Sequence, residues 1–374
     1  MTSAHSTAKP HDVYLDWLRG LAAVSVFVTH VRGGFFVKWS DLDPSSHGLI
    51  NYLLFLLTRL GRESVIIFFV LSGYLVGGQA LAALRSGRFS IAQYLVARAS
   101  RLYTVVIPAL ICTAALDFAA GGWDSTRNGA QTGLLNLLFL QEIFATTYGS
   151  NAPFWSLSYE WWFYVLFGSA LTLLAAPFTR AAAVALAVLG SAGVMLALKC
   201  PAILLTLPIW LAGALIRVLP PSRAPMLISI PLPVVFLCAA MLVSNTRWDW
   251  QGDALVGLAV TVLVYFLRSA PQPASTGTPW GTRLAAFSFS LYALHYPLNQ
   301  LCLSLVTPQR VSHAGPLQWL EWTGVVLFEG FVCWVFYWMF ERHTPRVRSA
   351  VSAVMQSQLL LGHRKMRANN LGLR

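Results

Sequence analysis

Long apolar runs recur along this chain, separated by short polar or Pro- and Gly-rich intervals. About twenty apolar residues in a helix cross the ~30 Å hydrocarbon core of a bilayer. Ten segments approach that length, at approximately 14–36, 63–84, 100–120, 154–176, 180–199, 202–219, 227–244, 252–268, 283–306 and 318–341. The pattern predicts an all-α fold: a polytopic transmembrane helix bundle of about ten spans, without a convincing internal repeat. Two further stretches are apolar but short. Segment 130–144 is amphipathic and reads as an interfacial or re-entrant helix. Asn51 to Leu60 reads as a lead-in to the second span, and 269–282 as a Pro/Gly/Ser loop between spans.

Composition agrees. Of 374 residues, 56% are hydrophobic and 11% charged, against roughly 25% charged in a soluble domain. The mean hydropathy is +0.61. A soluble globular protein is excluded. The first twelve residues lack the features of a cleaved secretory leader, so the first span is expected to be retained. Five scattered cysteines (Cys112, Cys200, Cys238, Cys302, Cys333) show neither a C-x-x-C pair nor metal-ligand spacing, and read as small buried hydrophobes.

The net charge of +12 is explained by where the charges lie. With the N-terminus inside, seventeen Lys and Arg fall on the cytoplasmic side and eight on the other, with Arg19 at the start of the first helix. The eight are Arg32, Lys38, Arg59, Arg62, Arg127, Lys199, Arg247 and Arg310. An even number of spans and a basic tail then put both termini in the cytoplasm by the positive-inside rule. A nucleic-acid partner would need a basic soluble domain, and the chain has none.

Polar groups inside apolar helices are costly and normally face a bundle interior or a wet cavity. The first such stretch, Leu15 to His30, carries Asp16, Arg19 and His30. Arg19 and His30 are eleven residues apart, which at ~100° per residue returns to within ~20° of one face. At ~1.5 Å per residue the histidine lies ~16 Å deeper, near the mid-plane. A plainer reading makes Arg19 a cytoplasmic anchor paired with Asp16.

Further candidates follow in order. Ser72-Gly73, within Phe68 to Val76, either lines a site or permits close helix packing. Arg85 and Arg88, and then Arg98 and Arg101, form i,i+3 pairs on the cytoplasmic side. They are loop charges, or a fork for the phosphates of a nucleotide. Ser156, Glu160 and Tyr164 make a polar i, i+4, i+8 stripe on an aromatic helix, where the acid is a strut or an orienter for a base. His295, beside Pro297, is a second pathway residue or a packed histidine. Glu341 and Arg342 read as a surface pair. Soluble catalytic motifs (G-x-S-x-G, H-E-x-x-H, the P-loop, G-x-G-x-x-G) are absent from the sequence.

Together these segments resemble the acyltransferase-3 family of integral membrane acyltransferases. The resemblance runs through D-x-L-R-G-x-A-A with Arg19-x10-His30, F-F-V-L-S-G-Y, the Arg98-x-x-Arg101 pair, W-S-L-S-x-E-x-x-F-Y (Trp155 to Tyr164), L-Y-x-x-H-x-P (Leu291 to Pro297) and a terminal E-R. His343 stands where the family usually has Pro, and no fused soluble hydrolase-like domain follows. The resemblance implies a transmembrane acyltransferase domain over 1–345 and a basic cytoplasmic tail over 346–374. It implies transfer of an acyl group, acetyl by analogy, from cytosolic acyl-CoA to a hydroxyl of a glycan or lipid-linked acceptor. It needs no metal, and a separate periplasmic partner could complete the transfer.

On that reading Arg19, Arg98 and Arg101 hold the donor's phosphates, His30 is the general base and Glu160 orients it. Ser72 or Tyr164 assists at the oxyanion, and Ser156 and His295 are further substrate-contacting candidates. The setting implied is the bacterial inner membrane. The competing reading is a proton-coupled transporter or flippase with His30, Glu160 and His295 as a relay. A membrane scaffold without chemistry is a third.

Overall fold

The computed structural model describes residues 12–247, 249–271, 280–307, 309–355 and 357. Most of the 269–282 loop and most of the 346–374 tail therefore lie outside the described residues. Among those described, the chain is all-helical, and every one of the ten expected segments is helical. The helices are α1 (Val13–Phe35), α2 (Leu49–Leu57), α3 (Gly61–Ser72), α4 (Gly78–Arg85), α5 (Ile91–Ala119), α6 (Ala130–Leu137) and α7 (Trp155–Ala175). They continue with α8 (Arg180–Lys199), α9 (Pro201–Ile216), α10 (Met226–Ser229), α11 (Pro231–Arg247), α12 (Trp250–Leu267), α13 (Trp280–Val306) and α14 (Pro316–Met339). Six helical segments are long and apolar enough to cross a membrane: Leu49–Arg85, Ile91–Ala119, Arg180–Lys199, Leu227–Ser244, Trp250–Leu267 and Pro316–Met355. Helices α1, α7 and α13 have the length, and α9 is a shorter apolar helix.

Local chemistry sets the ends. The side chains of Asp12, Ser90, Thr179 and Asp249 accept from backbone N–H groups in the first turns of α1, α5, α8 and α12, satisfying donors that a helix start leaves unpaired. Proline opens α9 and α14, where its missing N–H costs nothing. Helix α5 begins nine residues before the expected span, because Ser90 caps it there and the added turns carry Arg98.

Segment 130–144 is helical only as far as Leu137. The chain then turns through Phe139 and Glu142, both at positive φ. This irregular stretch packs inward: Phe139 is fully buried, its carbonyl accepts from Trp162 Nε1 at 3.1 Å, and Gln141 donates to the Phe154 carbonyl at 2.9 Å. Non-helical backbone inside a helix bundle is tolerated where protein supplies its hydrogen bonds.

Helix α1 runs against α13 for most of its length, and α3 packs on α1, α9 and α12. Helices α8, α11 and α14 present large apolar side chains outward, Leu198, Leu232 and Leu320 among them. In water such a surface would be a liability, and in a bilayer it is the solvated face.

Candidate active site

Two glycines let α1 and α13 approach closely on either side of a histidine pair, of which His295 is buried and His30 half-buried. A Cβ on Gly20 would stand 2.7 Å from Leu284 Cβ, and one on Gly34 would stand 2.4 Å from Leu303 Cδ1. Between these contacts, His30 Nδ1 lies 2.8 Å from His295 Nε2. His295 is fully buried, and its Nδ1 lies 2.9 Å from the Leu291 carbonyl oxygen. A carbonyl only accepts, so His295 Nδ1 carries the proton, and the Nε2 of a neutral His295 is an acceptor. His30 Nδ1 must then donate to it. The remaining nitrogen, His30 Nε2, keeps its lone pair, and the ring lines a cavity. Such an imidazole is oriented as a base.

Pro297 contributes to the same corner. It has no N–H, so the Ala293 carbonyl one turn back loses its helical partner. Asn151 Nδ2 replaces it at 2.9 Å and also reaches Thr113 Oγ1 at 3.2 Å. The irregular 138–151 stretch is thereby tied to the turn of α13 that carries His295.

Two cavities meet inside the bundle. The larger, of about 980 Å³, has His30 in its wall and opens toward the C-terminal end of α1. The smaller, of about 380 Å³, is lined by Arg19, Arg98, Arg101 and Arg348, with Ser72, Ser156, Glu160 and Tyr164 deeper in. Val65, Phe69 and Tyr292 belong to both linings and form the septum. Tyr292 is held there by hydrogen bonds from its hydroxyl to the Pro153 carbonyl and with Ser156 Oγ, the latter at 2.5 Å. Arg19 and His30 thus both face the interior, in adjoining chambers. Arg85 and Arg88 line neither cavity.

Four arginines, Arg19, Arg98, Arg101 and Arg348, stand in the lining of the smaller cavity. Arg19 donates to Asp16 at 3.3 Å, the expected i,i+3 pair, and Thr282 holds the other Asp16 oxygen at 3.0 Å. The Nε atoms of Arg19 and Arg98 are buried with no hydrogen-bond partner. Glu341 is not the surface residue expected from sequence. It accepts from the backbone N and the hydroxyl of Ser290 at 2.8 and 2.7 Å, while Arg342 stacks over Trp338 at 3.9 Å. The pair is split between an inward strut and an outward stack.

Glu160 does not touch the histidines. Ser72 Oγ donates to its Oε1 at 2.7 Å, the Tyr164 hydroxyl donates to the same oxygen, and Trp210 Nε1 donates to Ser72 Oγ at 3.1 Å. The place expected for Glu160 beside His30 is taken by His295. Both hydroxyls suggested for an oxyanion are committed to the carboxylate. The hub forms because α3 and α9 cross at van der Waals limit: a Cβ on Gly73 would lie 1.9 Å from the Trp210 carbonyl oxygen. Ser72-Gly73 therefore does both things suggested for it, packing and lining.

Sequence reasoning missed Arg348 as a cavity residue, which lies in the expected tail, and the structural partner Asn151, and it took the inward-facing Glu341 for a surface residue. Only the proline gave a hint, since an orphaned carbonyl requires a donor. Among the described residues no group of three or more His, Cys, Asp or Glu is placed to hold a metal ion.

Neither a search of curated proteins nor one of solved structures returns a match. A family model described as an acyltransferase domain does match, over residues 12–340, from the cap of α1 to the end of α14. That span contains the histidine pair, both cavities but for Arg348, and every motif on which the resemblance rests except the terminal Glu341-Arg342. The chain belongs to the acyltransferase-3 family and is a membrane acyltransferase of that family.

Proposed function

We propose that this protein moves an acyl group, acetyl in the first instance, from acyl-CoA to a hydroxyl of a glycan or related acceptor. The observation that supports it most is the His30–His295 pair, whose proton order leaves a basic nitrogen in one cavity next to a second cavity rimmed with arginines. The reading carries ten spans, both termini in the cytoplasm and a bacterial inner-membrane setting, so the arginine-rimmed cavity opens to cytosolic acyl-CoA and the larger one to the opposite side. Some 380 Å³ falls in the ordinary range for a ligand pocket, ~300–1,000 Å³. That is room for the extended pantetheine arm, with the nucleotide phosphates on Arg98, Arg101 and Arg19.

The thioester then travels ~16 Å along α1 and passes Tyr292. The acceptor oxygen attacks the thioester carbonyl carbon while His30 Nε2 takes the hydroxyl proton. Collapse of the tetrahedral adduct breaks the C–S bond. The CoA thiolate leaves and takes the proton back from His30, so no other reactant is consumed. His295 holds the ring in the productive tautomer. Glu160, fixed through Oε1, is a positioning residue that ties α3 to α7 along the donor passage.

A proton relay through His30, Glu160 and His295 would need Glu160 bonded to the pair, and its hydrogen bonds run to Ser72 and Tyr164 instead. The test is to supply acetyl-CoA to the purified protein in nanodiscs and follow free thiol. Acceptor-dependent release upholds the acyltransfer reading; proton-coupled flux without thioester cleavage overturns it.

A further inference from the structure

The positive-inside rule accounts for cations on one side of a membrane protein and leaves those on the other side unexplained. Here the far side has eight, and five of them (Arg32, Lys38, Arg59, Arg62 and Arg310) line the single cavity that contains His30. They come from three separate stretches of the chain, 32–38, 59–62 and 310, so no single local sequence bias gathers them. Two acids, Asp253 and Glu142, share the lining. Asp253 is already engaged by Arg62 in a two-point fork at 3.0 and 2.8 Å.

Arg32, Arg59 and Arg310 stand in the wall of the same cavity, so three guanidinium groups share one cleft. Arg32 stacks over Phe55 at 4.9 Å, and its buried Nε has no hydrogen-bond partner. Apolar walls around fixed charges of one sign concentrate the field in a cleft and draw in the opposite ion. Guanidinium forks match the oxygens of phosphate and carboxylate.

Resting on the acyltransfer reading above, we propose that this cavity is an anion-binding acceptor site. It takes an acceptor whose reactive hydroxyl lies close to a phosphate or carboxylate, with Arg32, Arg59 and Arg310 on the anion and the hydroxyl at His30 Nε2. The anion either belongs to a soluble sugar or is the headgroup of a membrane-borne one, and the chemistry of recognition is the same.

The experiment is calorimetric titration of the full-length protein, in phosphatidylcholine nanodiscs, with glucose, glucuronate and glucose 1-phosphate. Both anionic sugars should bind at least tenfold more tightly than glucose. Arg310→Glu, which lies outside the helices, and Arg32→Gln should each remove most of that preference, and Arg32→Lys should keep more of it than Arg32→Gln. Phosphatidylglycerol in the bilayer should abolish the binding if the native anion is lipid-borne and leave it intact if the acceptor is soluble; both outcomes uphold the site. Equal affinity for glucose and glucose 1-phosphate, no binding of either, or an unchanged preference in Arg310→Glu would overturn it. Thiol release from acetyl-CoA in the same preparation separates the two readings: absent release with a preserved anion preference sinks the proposed acetyl-CoA transfer and leaves the anion site.

Discussion

His295 donates from Nδ1 to its own helix at Leu291 and accepts from His30 Nδ1 at 2.8 Å through Nε2. The α13 backbone thereby decides which nitrogen of a residue on α1 is basic, a role that carboxylates have in other base-orienting pairs. His295→Gln should lower kcat roughly 10²–10⁴-fold, the range for a general base that has lost its orientation. The KM for acyl-CoA should hold, since the donor cavity is untouched. A variant with low abundance and a normal specific rate would mean that His295 only packs.

The arginine rim makes a separate expectation. Replacing Arg98 and Arg101 together by Glu should raise the KM for acyl-CoA and leave the acceptor KM near wild type. Phosphate binding by arginine is a charge effect, so adding salt should weaken wild-type donor binding in the same direction. Steady-state kinetics varying each substrate in turn decide the matter; an acceptor-side effect would place the donor elsewhere.

Tyr164→Phe deletes one of the two hydroxyls on Glu160 Oε1. Stripping a donor from a largely enclosed carboxylate should cost about 1–3 kcal/mol, read as a lower thermal midpoint in detergent. Ser72→Ala should do the same and also free Trp210 Nε1. Glu160→Gln should be milder in stability, because a side-chain oxygen remains to accept both bonds.

Steric limits give a prediction that needs no chemistry. Alanine at Gly73 or Gly213 would drive a Cβ to 1.9 or 2.1 Å from the backbone oxygens of Trp210 and Val70. Backbone cannot yield as a side chain does, so the crossing of α3 and α9 should open, at about 1–3 kcal/mol or more each. Gly190→Ala, with nothing within 4 Å of its Cβ, should be neutral or slightly stabilising through helix propensity. Expression and thermal midpoint of the three variants compare them directly.

Asn151→Leu should leave the Ala293 carbonyl without a partner inside the bundle, again at about 1–3 kcal/mol. Because that carbonyl lies two residues from His295, kcat should fall along with stability. Repeating Asn151→Leu in the α13 variant Pro297→Ala tests the logic: with an N–H back at 297, loss of Asn151 should matter less.

The helices were legible because twenty-residue apolar runs have few alternatives, although hydropathy alone put the start of α5 too late by passing over the Ser90 cap. Arg19 and His30 could be placed on one face from their spacing alone. What spacing on one helix cannot give is the partner across an interface. Glu160 looked like the natural support for His30 because a carboxylate beside an imidazole is common, yet the α3–α9 crossing through Gly73 and Gly213 delivers Ser72 to it first. Glu341 looked superficial because it ends a helix, and only the fold brings Ser290 over it. The 138–144 stretch was overestimated as helix because its apolar residues pack inward through positive-φ turns that carry no glycine signal at Phe139 or Glu142.

One comparison bears most directly on His30 as the base: thiol release from acetyl-CoA by wild type and His30→Gln, at matched abundance in nanodiscs with a competent acceptor. The variant should bind acetyl-CoA as wild type does and release thiol roughly 10²–10⁴-fold more slowly or at background. Wild-type turnover in His30→Gln would contradict that assignment and move the chemistry away from the α1–α13 interface.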